Sequence, residues 1–314
     1  MSEQEKNEIK TNSITITYLS KVSFASLNGS DKEVDNINPI KKITLDNGEE
    51  LPYVSSQAIR RALRDKLEEL GNKLSPINEA SVKKGAPKTS LNPKEFIDDD
   101  LFGYMDASKD EGADKGKSTT RTSPIRVESL VALSTYKGDL DFATNFMGKG
   151  KKGKDGKEIQ PNIFETEIHS GIYRGTILIE LDRIGCGEGF QEELSKQEKG
   201  KRVKAFLDAF RTLWSSGRQS RFLADISPKF IAAAYMKSKN PIFLESVELD
   251  EKGEINIEKL KTVVSDYHKF LEKSVFAVQE AVFKKTDGMV SLNKGFEDIE
   301  KWVEDYFKEN ENQK

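Results

Sequence analysis

Three arginines, two serines and a glutamine crowd the stretch LPYVSSQAIRRALRD, residues 51–65. Pro52 favours an extended approach, and Ser55 or Ser56 can cap a helix by accepting the free N–H groups of its first turn. Ile59, Leu63, Lys66 and Leu70 recur at helical spacing beside Ala58 and Ala62, so that side can pack. Gln57, Arg60, Arg61 and Arg64 fall on the other sides. A helix N-terminus with exposed N–H groups, hydroxyls, an amide and several guanidinium groups is suited to holding phosphate. The alternative is an amphipathic surface helix whose arginines pair with Asp65, Glu68 and Glu69.

A second basic feature is GKGKKG, residues 148–153. It satisfies the spacing G-x-G-x-x-G, but Gly156 and Pro161 follow where a dinucleotide-binding fold needs a helix. Lys149, Lys151, Lys152, Lys154 and Lys157 stand against Asp155 alone, with Phe146, Met147, Ile163 and Phe164 nearby. The segment is either a solvated hairpin tip or an arm that grips phosphate, with apolar residues that insert between bases or dock on a neighbouring protein. Arg218 and Arg221 fall where a helix gives way to a strand, a position at which RRM-type folds expose ligand-facing loops. Lys196, Lys199, Lys201, Arg202 and Lys204 crowd the start of that helix, against its dipole, so another group or an anionic partner must compensate.

Catalytic and metal chemistry finds less support. Glu165, Glu167 and His169 alternate and so share one strand face, but a polar strand face explains them as well as a divalent-metal site does. His268 is the other histidine, and no H-E-x-x-H or paired-cysteine spacing occurs. Cys186 lies in a GCG turn with no histidine near it in sequence. No catalytic residue, metal or cofactor is expected.

The elements that must position these groups follow from patterning. Residues 1–12 read as a disordered leader, and 13–28 (SITITYLSKVSFASLN) as a long strand. Asp46-Asn47-Gly48 marks a hairpin turn, and a helix spans about 56–70. Residues 71–124 form an insertion rich in Gly, Pro, Ser, Lys and Asp, with one ordered island at 93–105. Residues 123–136 return to strand-like alternation. Two strand-like arms flank the Gly/Lys tip, and the second runs on into TILIELDRIG. A helix is expected over 197–217, with Gly217 as its stop, then strands over 220–236 and 240–250. Two helices close the chain, the first carrying Leu260, Val263, Val264, Tyr267, Phe270, Leu271, Val278 and Val282 on one stripe. Without the insertions the order is strand, helix, strand, strand, helix, strand, that of a ferredoxin-like or RRM sheet with both helices on one face.

The 314 residues carry a formal net charge of −3 and a single cysteine. An indiscriminate nucleic-acid binder is usually more basic, so any polyanion site is a local patch. Acid stands at Asp98–Asp100 and in the last helix. The absence of a possible disulfide fits a reducing cytoplasm, and neither an apolar leader nor a membrane-spanning run is expected.

LNG (27–29), LPYVSSQAIRRALRD (51–65), DDDLFGYM (98–105), RTSPIRVESLVAL (121–133), DFATN (141–145), ETEIHSGIYRG (165–175), LDRIG (181–185) and GRQSRFL (217–223) occur in this order. Together they resemble the DevR/autoregulator family of CRISPR-associated proteins, which supplies the backbone subunit of type I-B Cascade complexes. The resemblance implies an α+β fold: a modified RRM/ferredoxin-like palm (13–71 and 123–250), a helical fingers insertion (72–122), a β-hairpin thumb (141–170) and C-terminal helices (251–314) packed on the palm. It implies a non-catalytic, cytoplasmic subunit that stacks head to tail with copies of itself and other Cascade subunits along a guide RNA. The guide is then presented for pairing with a target DNA strand. Asn28, Ser55, Gln57, Arg60, Arg61, Arg218 and Arg221 would grip the guide. Lys149, Lys151, Lys152 and Lys154 would hold nucleic acid from the thumb, with Phe146, Met147 and Phe164 as wedges. No aromatic RNP run is present, in keeping with backbone holding. Two other functions compete. One is a metal-dependent ribonuclease like type III backbone subunits, using an aspartate such as Asp31 or Asp35 after the first strand. The other is a DNA-binding autoregulator, for which no helix-turn-helix pattern is found.

Overall fold

The computed structural model describes residues 12–31, 36–77, 88–106, 119–152, 154–158, 162–215, 217 and 221–309. In chain order its elements begin with β1 (Ser13–Ala25), β2 (Ile37–Asn38), β3 (Lys42–Thr44), β4 (Glu50–Val54) and α1 (Ser56–Glu69). The insertion supplies α2 (Ile97–Phe102), β5 (Tyr104–Asp106) and β6 (Thr119–Arg121). Then come β7 (Ile125–Val127), β8 (Leu130–Ala132), β9 (Leu140–Asn145), β10 (Asn162–Glu167), β11 (His169–Glu180), α3 (Lys196–Arg211) and β12 (Phe230–Met236). The last elements are α4 (Ile257–Asp266), β13 (Leu271–Val278), β14 (Met289–Ser291) and α5 (Leu292–Glu309).

One nine-stranded sheet runs β14-β13-β12-β1-β11-β8-β4-β3, with β7 also pairing β11. β1 lies at its middle, antiparallel to both β11 and β12. Its first eight residues are all buried, polar ones included, because both faces of the sheet are covered there. Ile14, Ile16 and Tyr18 face a core shared with Ile59 and Leu63 of α1, Phe206 and Phe210 of α3, and Phe296 and Ile299 of α5. Leu19 and Phe230 face a second core with Phe243, Leu260 and Phe276. Gly175 lies opposite Tyr18, and a Cβ on it would sit 2.9 Å from the tyrosine ring, so the strand pair closes only with glycine there. The antiparallel set β12-β1-β11-β7, with α1 and α3 against one face, is the arrangement that the element order implied.

β9 and β10 form an antiparallel hairpin, Asn145 opposite Asn162 through Leu140 opposite Glu167, in a separate three-stranded sheet with β2. The expected turn at Asp46-Asn47-Gly48 joins β3 to β4, with Gly48 at φ 84°.

Four expectations are corrected. Residues 240–250 are not a strand: Pro241 opens a run of turns, with Leu244 N–H donating to Pro241 O at 3.0 Å, which lays Ile242, Phe243 and Val247 over the second core. The stripe from Leu260 to Val282 is not one helix. α4 ends at Asp266, the chain turns, and β13 pairs antiparallel with β12, so the C-terminal region extends the sheet as well as covering it. Val275–Val278 are buried on both faces, which gives a short apolar run that periodicity cannot assign. α3 stops at Arg211, ahead of Gly217, and Trp214 bridges to Asp225. The strand expected over 220–236 begins only at Phe230. No helix among the described residues is long and apolar enough to cross a membrane.

Candidate nucleic-acid interface

The chain itself takes three of the N–H groups at the N-terminus of α1. Ser55 caps it, its Oγ accepting the Ala58 N–H at 3.3 Å. Asn28 Oδ1 accepts the Ser55 N–H at 2.9 Å, and Ser129 Oγ accepts the Ser56 N–H at 3.2 Å. The Ile59 N–H is taken by the Ser55 carbonyl. These donors therefore are not open to an anion as the spacing suggested; their partners instead lock LNG onto the helix. With its amide oxygen so engaged, Asn28 keeps its NH2 as a donor.

Three hollows that share lining residues make up a trough around this junction. A cleft of about 160 Å³ between Leu27–Gly29, Ala58, Ala62, Ser215 and Gly217 meets a hollow of about 440 Å³ lined by Gly29, Ser30, Asp31, Lys41, Lys42 and Tyr53. That hollow shares Ser30, Asp31 and Lys42 with a third, of about 260 Å³, ending at Glu167 in the root of the β9–β10 hairpin. The 28–31 loop is held on residues 39–41 by bonds from Ser30 N–H to Pro39 O and from Lys41 N–H to Asn28 O. Lys41, Lys42 and Tyr53 were not singled out from the sequence; they are ordinary residues of a hairpin until the 28–31 loop docks beside them through the Lys41 N–H to Asn28 O bond.

The arginines of α1 separate into two roles. Arg60 donates to the Phe102 carbonyl and lies over the Phe102 ring, and its Nε is buried without a partner. Burial and the neighbouring Arg64 hold its pKa below the usual arginine range. Arg64 lies 4.8 Å from the centre of the same ring and 3.4 Å from Asp98. Both dock α2 onto α1. Arg61 is exposed and pairs with Asp65 at 2.8 Å, and Gln57 is exposed.

The acid at Asp98–Asp100 lies inside the fold. Asp98, Asp99 and Asp100 are all buried at the start of α2. Asp100 takes Arg121 at 2.5 Å, Arg202 at 2.8 Å and the Gly185 N–H at 3.1 Å. Asp98 takes the Ser75 N–H at 2.8 Å, and Asp99 the Asn92 N–H at 2.9 Å. The basic start of α3 is thereby compensated from within: Arg202 by Asp100, Lys199 by Glu193 at 2.8 Å, Lys204 by Glu304 at 2.5 Å.

At the hairpin, Phe146 and Met147 are 53% and 85% exposed, so they are open to a partner rather than part of the core. Lys149, Lys151, Lys152 and Lys154 are exposed beside them. Phe164 is half-buried beneath Arg221, which donates to Asp141 and to Thr166 Oγ1. Arg221 therefore faces the hairpin. Arg218, Asp35 and Gly153 lie outside the described residues. The alternation of Glu165, Glu167 and His169 is broken between the last two, where β10 gives way to β11. Glu167 accepts the Ile40 N–H at 2.9 Å and Lys42 Nζ at 3.1 Å, while His169 Nδ1 lies 2.7 Å from the Tyr173 hydroxyl. Among the described residues no group of three His, Cys, Asp or Glu side chains is placed to hold a metal ion. Cys186 Sγ donates to Asp182 O, and burial pushes its thiol pKa up, away from nucleophilic duty.

Comparison with known proteins agrees with the order of motifs. The family model described as CRISPR-associated negative auto-regulator DevR/Csa2 matches residues 16–256. A chain of a CRISPR RNA-guided surveillance complex in its pre-nicking state shares the fold, with 15% identity and a TM-score of 0.61 over 93% of this chain and 100% of that one. A chain of another CRISPR RNA-guided surveillance complex does so with 16% identity and a TM-score of 0.55 over 92% and 98%. Comparison with curated proteins gives no match. With three quarters of its length matched in one stretch, the chain belongs to the CRISPR-associated DevR/Csa2 family, the family of backbone subunits of RNA-guided surveillance complexes.

Proposed function

We propose that this chain is a non-catalytic backbone subunit of a type I CRISPR interference complex, of the I-B class that its motifs resemble. It holds the guide RNA by the sugar-phosphate chain, stacks head to tail with further copies, and leaves the guide bases for pairing with target DNA. In this reading the nine-stranded sheet and its helices are the palm, residues 72–122 the fingers and the β9–β10 hairpin the thumb. The supporting observation is the trough. It passes Asn28, Lys41, Lys42 and Tyr53, starts beside Ala58 in the first turn of α1, and ends at the root of a hairpin whose tip carries exposed lysines. Amide and ammonium donors along such a path bind phosphate and ribose without reading bases, so sequence is left to Watson–Crick pairing. Asn28, Gln57, Arg61 and Lys41 are the palm-side contacts, with Lys149, Lys151, Lys152 and Lys154 on the thumb. Ser55, Arg60 and Arg221 serve by holding the elements that carry them.

The test is to purify the protein with the other subunits of its complex and measure mass and ultraviolet absorbance. A large particle rich in nucleic acid is expected; an RNA-free monomer overturns the reading. Asp31 lines the trough and gives the ribonuclease alternative its one supporting observation. Mg²⁺-dependent cleavage of RNA complementary to the guide, lost in Asp31→Ala, would establish that function instead. Specific promoter binding without RNA would favour the autoregulator.

A further inference from the structure

The β9–β10 hairpin has little apolar anchorage. No described residue of β9 is fully buried, and Leu140, Phe142 and Ile163 are exposed on one of its faces. Apart from Ile168, which follows β10 and packs on the main core, hydrophobic burial does not set its angle to the body. Pairing between its two strands fixes its internal shape only, and the two register pairs with β2 (Glu165 with Ile37, Thr166 with Asn38) hold one edge.

Polar contacts hold both faces at the root. Asp141 lies opposite Thr166 and Ala143 opposite Phe164, which places Asp141, Phe164 and Thr166 on one face. Arg221 meets all three: it donates to the Asp141 carboxylate, donates to Thr166 Oγ1 at 3.3 Å, and lies 5.5 Å from the centre of the Phe164 ring. The next residue, Phe222, is buried against Phe24, so the arginine springs from a fixed point. On the other face Glu167 accepts the Ile40 N–H at 2.9 Å and Lys42 Nζ at 3.1 Å, and Lys42 belongs to β3 of the main sheet. One such contact leaves a hinge, whereas two on opposite faces resist tilt in both senses.

We infer that Arg221 and Glu167 are positioning residues that together set the angle of the hairpin on the sheet, and so place its lysine tip before any nucleic acid arrives. The inference rests on the reading of the hairpin as the arm that closes on the guide, and an arm already at its angle binds without the ordering cost of finding it.

The experiment separates the two ideas. Spin labels at Lys154 and at Glu297, both exposed, report the spread of tip-to-body distances in the full-length protein without RNA. We expect Arg221→Gln and Glu167→Gln each to broaden that spread about twofold and to weaken guide binding about tenfold in the assembled complex. The reversed pair D141R/R221D should restore a narrower spread than R221Q. An unchanged spread in both folded single variants overturns the inference, including when RNA binding falls, since the two residues would then be acting on RNA directly. Should one variant not fold, the other decides. A broadened spread with undiminished RNA binding keeps the positioning role and refutes the thumb reading instead.

Discussion

Arg202 Nη1 lies 2.8 Å from Asp100 Oδ2, joining α3 to a helix in an insertion 102 residues earlier in the chain. The Asp100 carboxylate also takes Arg121, and Arg121 in turn donates to the carbonyls of Arg183, Cys186 and Glu188. The inserted segment is thus tied into the main core by charge as well as by the buried side chains of Ile97, Leu101 and Phe102, and each ion is surrounded by enough partners to remain charged while buried.

Asp100→Ala should therefore be among the most damaging single changes. It leaves two buried guanidinium groups without their carboxylate, which typically costs ~3–5 kcal/mol. Urea unfolding monitored by circular dichroism measures the loss; a shift worth less than ~1 kcal/mol would show that the network holds little.

Gly103 has φ 63° and ψ −178°, a conformation open essentially to glycine alone, and an added Cβ would sit 2.1 Å from the Arg121 carbonyl oxygen. Gly103→Ala should cost more than ~2 kcal/mol. Gly48 has φ 84° but nothing within 4 Å of an added Cβ, so Gly48→Ala should cost only ~1 kcal/mol. Thermal unfolding of the two variants side by side tests the difference, and equal losses would refute it.

The adjacent arginines of α1 should behave oppositely. Arg61→Ala removes an exposed pair with Asp65, worth ~0.3–0.5 kcal/mol, and should lower guide affinity while reducing its salt slope by about 1. Arg60→Ala should lower the melting temperature, because it frees the Phe102 carbonyl and the end of α2. Titration of guide RNA at several salt concentrations, with melting curves for both proteins, decides the matter; an RNA affinity unmoved by Arg61→Ala removes that residue from the interface.

Glu180 makes the acid limb of stability testable. Burial opposes its ionisation, but Lys239 at 3.0 Å and Arg183 at 3.3 Å, with Arg126 beside them, outweigh this and hold its pKa below the ordinary 4.5. A carboxyl with a depressed folded pKa contributes stability above its unfolded pKa and loses it as pH falls through the folded one. Glu180→Gln should thus be less stable than the parent at neutral pH and converge on it below about pH 4.5. Asp98, pushed up by burial, has the opposite slope in both proteins and cancels in the comparison. Parallel curves of stability against pH would refute the role of Glu180.

Local signals were legible where one segment decides its own structure. The Ser55 cap and the spacing of Ile59 and Leu63 predict α1 nearly to the residue, and Asp-Asn-Gly predicts the turn that joins β3 to β4. Lys66 of the packing stripe is buried and pairs with Glu69, whereas Leu70, on the same stripe, is exposed because the helix ends there. The fate of each cation was not legible. Arg60 and Arg61 differ by one step of about 100° around a helix, and what separates them, the Phe102 carbonyl, lies 42 residues away. Likewise three consecutive aspartates look like solvated surface until Arg64, Arg121 and Arg202 converge on Asp98 and Asp100 from separate elements. β13 is not legible in the sequence because its pairing partner, β12, decides what a short apolar run becomes.

The place of β1 has a consequence for synthesis. It leaves the ribosome before the other described strands and lies at the centre of the sheet, yet its neighbours are residues 169–180 and 230–236. Until His169 emerges, neither long edge of this apolar strand has its native partner, and until Met236 emerges one edge still lacks it. The nascent chain therefore carries an exposed template for mispairing until residue 236 has emerged. Fragments cut anywhere before the end of β12 should be recovered as aggregates rather than as small folded domains.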